Sequence, residues 1–194
     1  MKSIIIASKN KGKLEEYREL LKKYGYVIES LFDYPEIAEV DEPYLTFAEN
    51  ALHKAKTIHQ VLEKPVIADD SGLMVDGLNG LPGVRSKRFS SEGTDEANNR
   101  LLIETMKSII ERKAKFVAVI AYIDEQGISH VFSGETKGVI LYEPKGSSGF
   151  GYDPLFYVES LQKTFAELTV EEKNHISHRA KAFQAFIAYL EGQK

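Results

Sequence analysis

No cysteine and no tryptophan occur among the 194 residues of this chain. Without cysteine there is no disulfide framework, no thiolate-bound zinc and no thiol nucleophile. A long apolar run is also missing. Ile4-Ile5-Ile6-Ala7 is cut off at once by polar residues and is too short for a signal peptide or a membrane span. The expected setting is therefore the cytoplasm, with no membrane as partner. Positive charge is not in excess: 25 Lys+Arg against 29 Asp+Glu leave −4 at pH 7. That balance speaks against nucleic acid as the main partner, which usually calls for a basic face. A small anionic ligand stays compatible, because a local basic pocket needs no overall positive charge. The rest is globular: 43% hydrophobic residues, with no repeat, low-complexity run or linker. One domain over residues 1–194, able to bury a core unaided, is the expectation.

Alternating signals point to an α/β fold with a mixed sheet. Lys2–Ser8 and Pro65–Asp69 read as short buried strands. Lys13–Tyr24 reads as a helix with Leu14, Tyr17, Leu21 and Tyr24 on one face and Gly25 as its stop. Thr46-Phe47-Ala48-Glu49 and Thr169-Val170-Glu171-Glu172 are capping-box patterns, the first opening a helix to Leu62. Thr94 caps a helix carrying Leu101, Leu102, Met106, Ile109 and Ile110. Lys115–Asp124 and Ile128–Leu141 form a hairpin turning at Glu125-Gln126-Gly127. Ser177 caps a last helix whose apolar face holds Phe183, Phe186, Ile187 and Leu190.

Polar segments at strand ends and helix starts carry the candidate chemistry, since ligands in open α/β sheets bind beyond the carboxyl ends of strands. Ser8-Lys9-Asn10-Lys11-Gly12-Lys13 joins a strand to a helix. It is either a lysine-rich cap or a phosphate site using free N–H groups, hydroxyl and amide donors and the Lys13 charge. Asp69-Asp70-Ser71-Gly72 reads as an acidic turn leaving a buried strand. Adjacent carboxylates repel unless a cation, a proton or strong donors offset them, and magnesium suits such oxygens; an Asx turn is the plainer reading. Glu39, Asp41 and Glu42 form an acidic stretch in which nothing local singles out one member. In Gly149-Phe150-Gly151-Tyr152-Asp153 the flanking glycines allow an exposed ring on which a flat base stacks, with Asp153 as an acceptor. Folding of Phe150 into the core is the alternative. Lys173, His178 and Arg179 bracket the last helix start, where cations point to an anionic or carbonyl-bearing partner. His175 reads as an ordinary exposed histidine.

Six segments, in order, closely resemble the inosine triphosphate pyrophosphatase family, which hydrolyses non-standard purine nucleoside triphosphates. They are Ser8-x-Asn10-x-x-Lys13, Thr46-Phe47-x-Glu49-Asn50-Ala51, Ala68-Asp69-Asp70-Ser71-Gly72-Leu73, Gly80-x-Pro82-Gly83, Gly149-Phe150-Gly151-Tyr152-Asp153-Pro154 and Glu172-Lys173-Asn174-x-Ile176-Ser177-His178-Arg179. The resemblance implies an elongated two-lobed α/β fold with a central cleft, a homodimer and a Mg2+ cofactor. It implies that Ser8 through Lys13 hold the triphosphate, with Lys56 helping from the second helix. Glu42 and Asp70 would bind the metal, Asp70 would also activate water, and Ser71 would lie beside the substrate. Phe150, Gly151, Tyr152, Asp153, Lys173, His178 and Arg179 would take the base, and Asp69 receives no role. The implied reaction converts ITP, dITP or XTP to the monophosphate and pyrophosphate. Two competing readings are a pyrophosphatase for modified pyrimidine nucleotides and a nucleotide sensor that does not hydrolyse its ligand.

Overall fold

A computed structural model describes residues 3–21 and 24–192. Lys2, and the part of the first predicted helix at residues 22–23, lie outside the described residues. The strands are β1 (Ser3–Ile6), β2 (Val27–Ser30), β3 (Val66–Val75), β4 (Lys113–Ile123), β5 (Ser129–Ile140), β6 (Phe156–Val158) and β7 (Lys163–Thr164). The helices are α1 (Lys11–Leu21), α2 (Phe47–Leu62), α3 (Asp95–Thr105), α4 (Val170–Ile176) and α5 (His178–Gly192). The strands form one seven-stranded sheet in the order β2-β1-β3-β4-β5-β6-β7. β1 pairs parallel with β2 and β3, while β5–β6 and β6–β7 pair antiparallel, so the sheet is mixed as expected.

The chain divides into two compact units. The first comprises Met1–Asp70, Ala118–Gly134 and Arg179–Lys194; the second comprises Ser71–Val117 and Glu135–His178. Each has its own core. In the first, Ile4, Ile6 and Ile67 pack with Leu14, Tyr17 and Leu21 of α1 and with Phe183, Phe186 and Ile187 of α5. In the second, Leu73, Val75, Leu102, Phe116, Phe156 and Phe165 are at the centre.

Local signals account for most boundaries. Thr46 caps α2 by accepting from the Glu49 N–H at 3.2 Å, and its hydroxyl donates to the Glu49 carboxylate at 2.6 Å. Thr169 and Glu172 form the full reciprocal box that opens α4. Thr94 caps α3, but that helix ends at Thr105, which leaves Ile109 and the 93% exposed Ile110 outside it. The hairpin turns where expected, with Gly127 at φ 78 and its N–H donating to Asp124. β2, β6 and β7 carry no periodic signal long enough to read; they are strands of four, three and two residues held by their neighbours.

Candidate active site

The largest departure from expectation lies at the acidic segment. Asp69-Asp70-Ser71-Gly72 is not a turn at a strand end; it lies in the middle of β3, which runs unbroken from Val66 to Val75. Successive side chains of a strand leave on opposite faces. The two carboxylates therefore avoid each other by geometry, and each meets its own set of partners.

Asp69 points to the face that α1 and α5 cover. Its Oδ1 is 3.1 Å from the Lys13 ammonium, and its Oδ2 accepts from Arg179 Nε at 3.2 Å. Arg179, 1% exposed, also pairs with Glu16 of α1. Burial alone would raise the carboxyl of Asp69, but the charges of Lys13, Arg179 and Lys54 outweigh it and hold the group well below the carboxylate range. Asp69 thus acquires a role the sequence reading withheld, as the counter-ion of two cations. Arg179, expected beside a base with His178, pairs through its guanidinium with Glu16 and Asp69 in the first unit.

The segment before α1 is both cap and donor array. Asn10 accepts from the Lys13 N–H at 3.1 Å, and the Ser8 hydroxyl accepts from the Asn10 N–H at 3.1 Å. Lys11 and Gly12 form the first turn of α1, a position that offers N–H groups to an anion. Lys9 reaches away from this turn and donates to the carbonyl of Ile37 at 2.8 Å.

Asp70 points to the opposite face, toward α2. Its Oδ2 accepts from the amide of Asn50 at 3.1 Å, and the same amide donates to Tyr44 O at 3.2 Å while its oxygen accepts from Tyr44 N at 2.9 Å. Asn50 therefore ties Asp70 to the segment that carries Glu42. Lys54, one turn further along α2, donates to Glu42 Oε1 and to Asp69 O, both at 2.6 Å. Burial, reinforced by the charge of Glu42, pushes the Asp70 carboxyl up to about 6 against the opposing charges of Lys54 and Lys13. Lys56, the expected phosphate helper, is exposed and sits about 200° round the helix from Lys54. The lysine brought to this cluster is Lys54. Asn50 and Lys54 are the residues that sequence reasoning missed; spacing along α2 held the signal, since positions 47, 50, 51, 54, 55 and 58 form its buried stripe.

In the second unit, Asp153 organises the aromatic loop. Its Oδ2 accepts from the Phe150 N–H at 3.0 Å and pairs with the buried Lys173 ammonium at 2.8 Å. That ammonium lies 4.7 Å from the Phe150 ring centroid and 5.6 Å from that of Phe165. Phe150 is half-buried and is not among the residues of the core. Gly149 must be glycine: at φ +80, a Cβ there would meet Asp153 Oδ2 at 2.1 Å. Tyr152 faces inward and donates to Ser86 O at 2.8 Å, so its hydroxyl serves the core. His178 is buried and stacks on Phe116, with centroids 4.8 Å apart and planes 11° from parallel. Ser71 is half-buried at the start of this unit's share of β3.

Among the described residues no group of three or more His, Cys, Asp or Glu side chains is arranged to hold a metal ion. Two carboxylates, Glu42 and Asp70, lie around the Asn50 and Lys54 contacts, with Glu42 paired to Lys54. Among the described residues no helix is long and apolar enough to cross a membrane.

A protein-family model described as the Ham1 family matches residues 4–189. The chain is 45% identical over 194 residues to the dITP/XTP pyrophosphatase of Halalkalibacterium halodurans, covering 98% of this chain and 100% of that one. It is 47% identical over 190 residues to the dITP/XTP pyrophosphatase of Desulforamulus reducens, covering 96% and 94%. Among solved structures, the Staphylococcus aureus Ham1 protein superposes with a TM-score of 0.90 at 40% identity, covering 100% of both chains.

Proposed function

This chain belongs to the Ham1 family, and from that premise we propose that it hydrolyses non-standard purine nucleoside triphosphates. ITP, dITP and XTP are converted to the monophosphate and pyrophosphate, which clears them from the pool used to build DNA and RNA. The observation that carries the reading is the division of labour along β3. Asp69 gathers cations on one face, and Asp70 keeps a carboxylate of raised proton affinity on the other.

The triphosphate falls to Ser8, Asn10, Lys13 and the first turn of α1, with Lys54 in the place first given to Lys56. Lys13 is held against Asp69, so its ammonium is positioned before any ligand arrives. Glu42 and Asp70 would hold Mg2+, and the chemistry of this donor pair supports that choice. When bound, the ion would neutralise phosphate oxygens and lower the barrier to attack by water. Asp70, oriented by the Asn50 amide, takes the proton of that water on its carboxylate. Water oxygen bonds to the α-phosphorus, the bond to the bridging oxygen breaks, and pyrophosphate leaves.

The base falls to the second unit. Phe150 offers the ring, and Lys173, held between Asp153 and that ring, offers a donor to a 6-keto oxygen. Adenine presents an amino group at that position, which would leave a buried cationic donor facing another donor, a costly mismatch. His178 supports the site from its stack with Phe116. The functional enzyme is a cytoplasmic homodimer in this proposal, and the two units of each chain act as one domain.

The test is pyrophosphate release from ITP, dITP and XTP with Mg2+, with ATP as comparison. Release well above that from ATP is expected, and background rates with all three would sink the proposal. In Asp70→Asn, turnover is expected to vanish while ITP still binds; an unchanged rate would remove Asp70 from the chemistry.

A further inference from the structure

Phe150 sits between two glycines with positive φ, +80 at Gly149 and +63 at Gly151, in a loop that by composition should be loose. A loose platform would lose affinity to the ordering of the loop each time a base bound. The structure removes that freedom from outside the loop. The Gly151 N–H donates to Asp95 Oδ2 at 2.6 Å, and the Gly151 carbonyl accepts from Asn99 Nδ2 at 2.7 Å. Asn99 Nδ2 also donates to Asp95 O at 2.8 Å, one turn back on α3. Both polar groups of one glycine are thus gripped by side chains one helical turn apart. The backbone N–H of Phe150 itself is held by Asp153 Oδ2 at 3.0 Å.

We propose that Asp95 and Asn99 are positioning residues for base recognition, a clamp on Gly151 that presets the Phe150 ring for a purine. The clamp touches neither the phosphate-binding residues nor Asp70, so it acts on affinity for the base and not on the hydrolytic step. The sequence supports the pairing: Asp95 and Asn99 are four residues apart, and the helix capped at Thr94 puts that spacing on one face. The inference rests on the reading of Phe150 as the base platform.

Product inhibition separates the two halves of the substrate, because IMP carries the base and pyrophosphate does not. In Asp95→Ala and in Asn99→Ala the inhibition constant of IMP is expected to rise about tenfold, the scale of a lost charge-assisted hydrogen bond. The constant for pyrophosphate and kcat for ITP should stay within about twofold, and Asp95→Asn, which keeps an acceptor oxygen, should recover most of the loss. Asn99→Ala places a strong helix former inside α3 and is expected to fold even if Asp95→Ala does not. Unchanged IMP inhibition in the clamp variants, or a rise shared equally by pyrophosphate, would overturn the inference. Phe150→Ala tells the two levels apart. If it raises the IMP constant while the clamp variants do not, only the clamp falls; if it leaves the constant unmoved, the base platform falls and the clamp with it.

Discussion

Removing the charge of Asp69 would strand two buried cations. Lys13 and Arg179 both pair with this carboxylate, and Arg179 pairs with Glu16 as well. Breaking one member out of a buried ion pair costs about 3–5 kcal/mol, so Asp69→Asn is expected to lower unfolding free energy in urea by that order. It should also weaken pyrophosphate inhibition, since Lys13 loses the group that aims it; a variant matching the parent in both would refute the counter-ion role. Arg179 belongs to the same argument. Arg179→Met is expected to act on stability and leave the preference for ITP over ATP nearly intact. Lys173→Met should erode that preference, and measuring the two ratios side by side checks the reassignment.

Elements carry smaller, separable contributions. The cap at Thr46 fixes the start of α2, and with it the register that brings Asn50 and Lys54 to β3. Thr46→Ala is expected to cost about 1 kcal/mol by denaturant titration, with a further loss of turnover if the register loosens. At the β4–β5 turn, Asp124 accepts from the Gln126 and Ile128 N–H groups at 2.9 and 2.8 Å and pairs with His130 at 3.1 Å. Burial pushes this carboxyl up, but the bonds from His130, Ile128 and Gln126 outweigh it and bring the group below its ordinary value. A carboxyl lowered on folding stabilises above its unfolded value, near about 4, and that contribution is lost as pH falls through the folded value. The stability gap between the parent and Asp124→Asn should therefore be full at neutral pH and close below about pH 4; a gap independent of pH would contradict the assignment.

At the scale of the molecule, the two units carry different chemistry. The first holds Lys13, Glu42, Lys54, Asp69, Asp70 and Arg179, and the second holds Phe150, Asp153, Lys173 and His178. Their effects should separate in the same way. Lys54→Met is expected to weaken inhibition by pyrophosphate and spare that by IMP, and Lys173→Met to do the reverse. Equal shifts of both constants in both variants would contradict these two assignments. The division cuts between Asp70 and Ser71 within one strand and between His178 and Arg179 within one helix, so neighbours in sequence serve different ends.

The segments proposed here to bear function stand out in the sequence because their chemistry is local. A capping threonine, a positive-φ glycine beside an aromatic ring and a pair of carboxylates each need particular residue types at particular spacings. The α/β class, the capping box at Thr169 and the Thr46 cap were legible for the same reason. What each group touches was decided by tertiary structure. Whether Asp69 and Asp70 end a strand or lie within it depends on the long-range pairing of β3 within the sheet, where it lies between β1 and β4, and no local signal reports that pairing. Once they lie within it, strand geometry sends them to opposite faces, and those faces choose their partners: Lys13 and Arg179 for Asp69, Asn50 for Asp70. Helix phase likewise selects Lys54 over Lys56, because only the buried stripe of α2 reaches the sheet. The sequence by itself determined which residues were available for the chemistry; long-range packing determined which charge faces which.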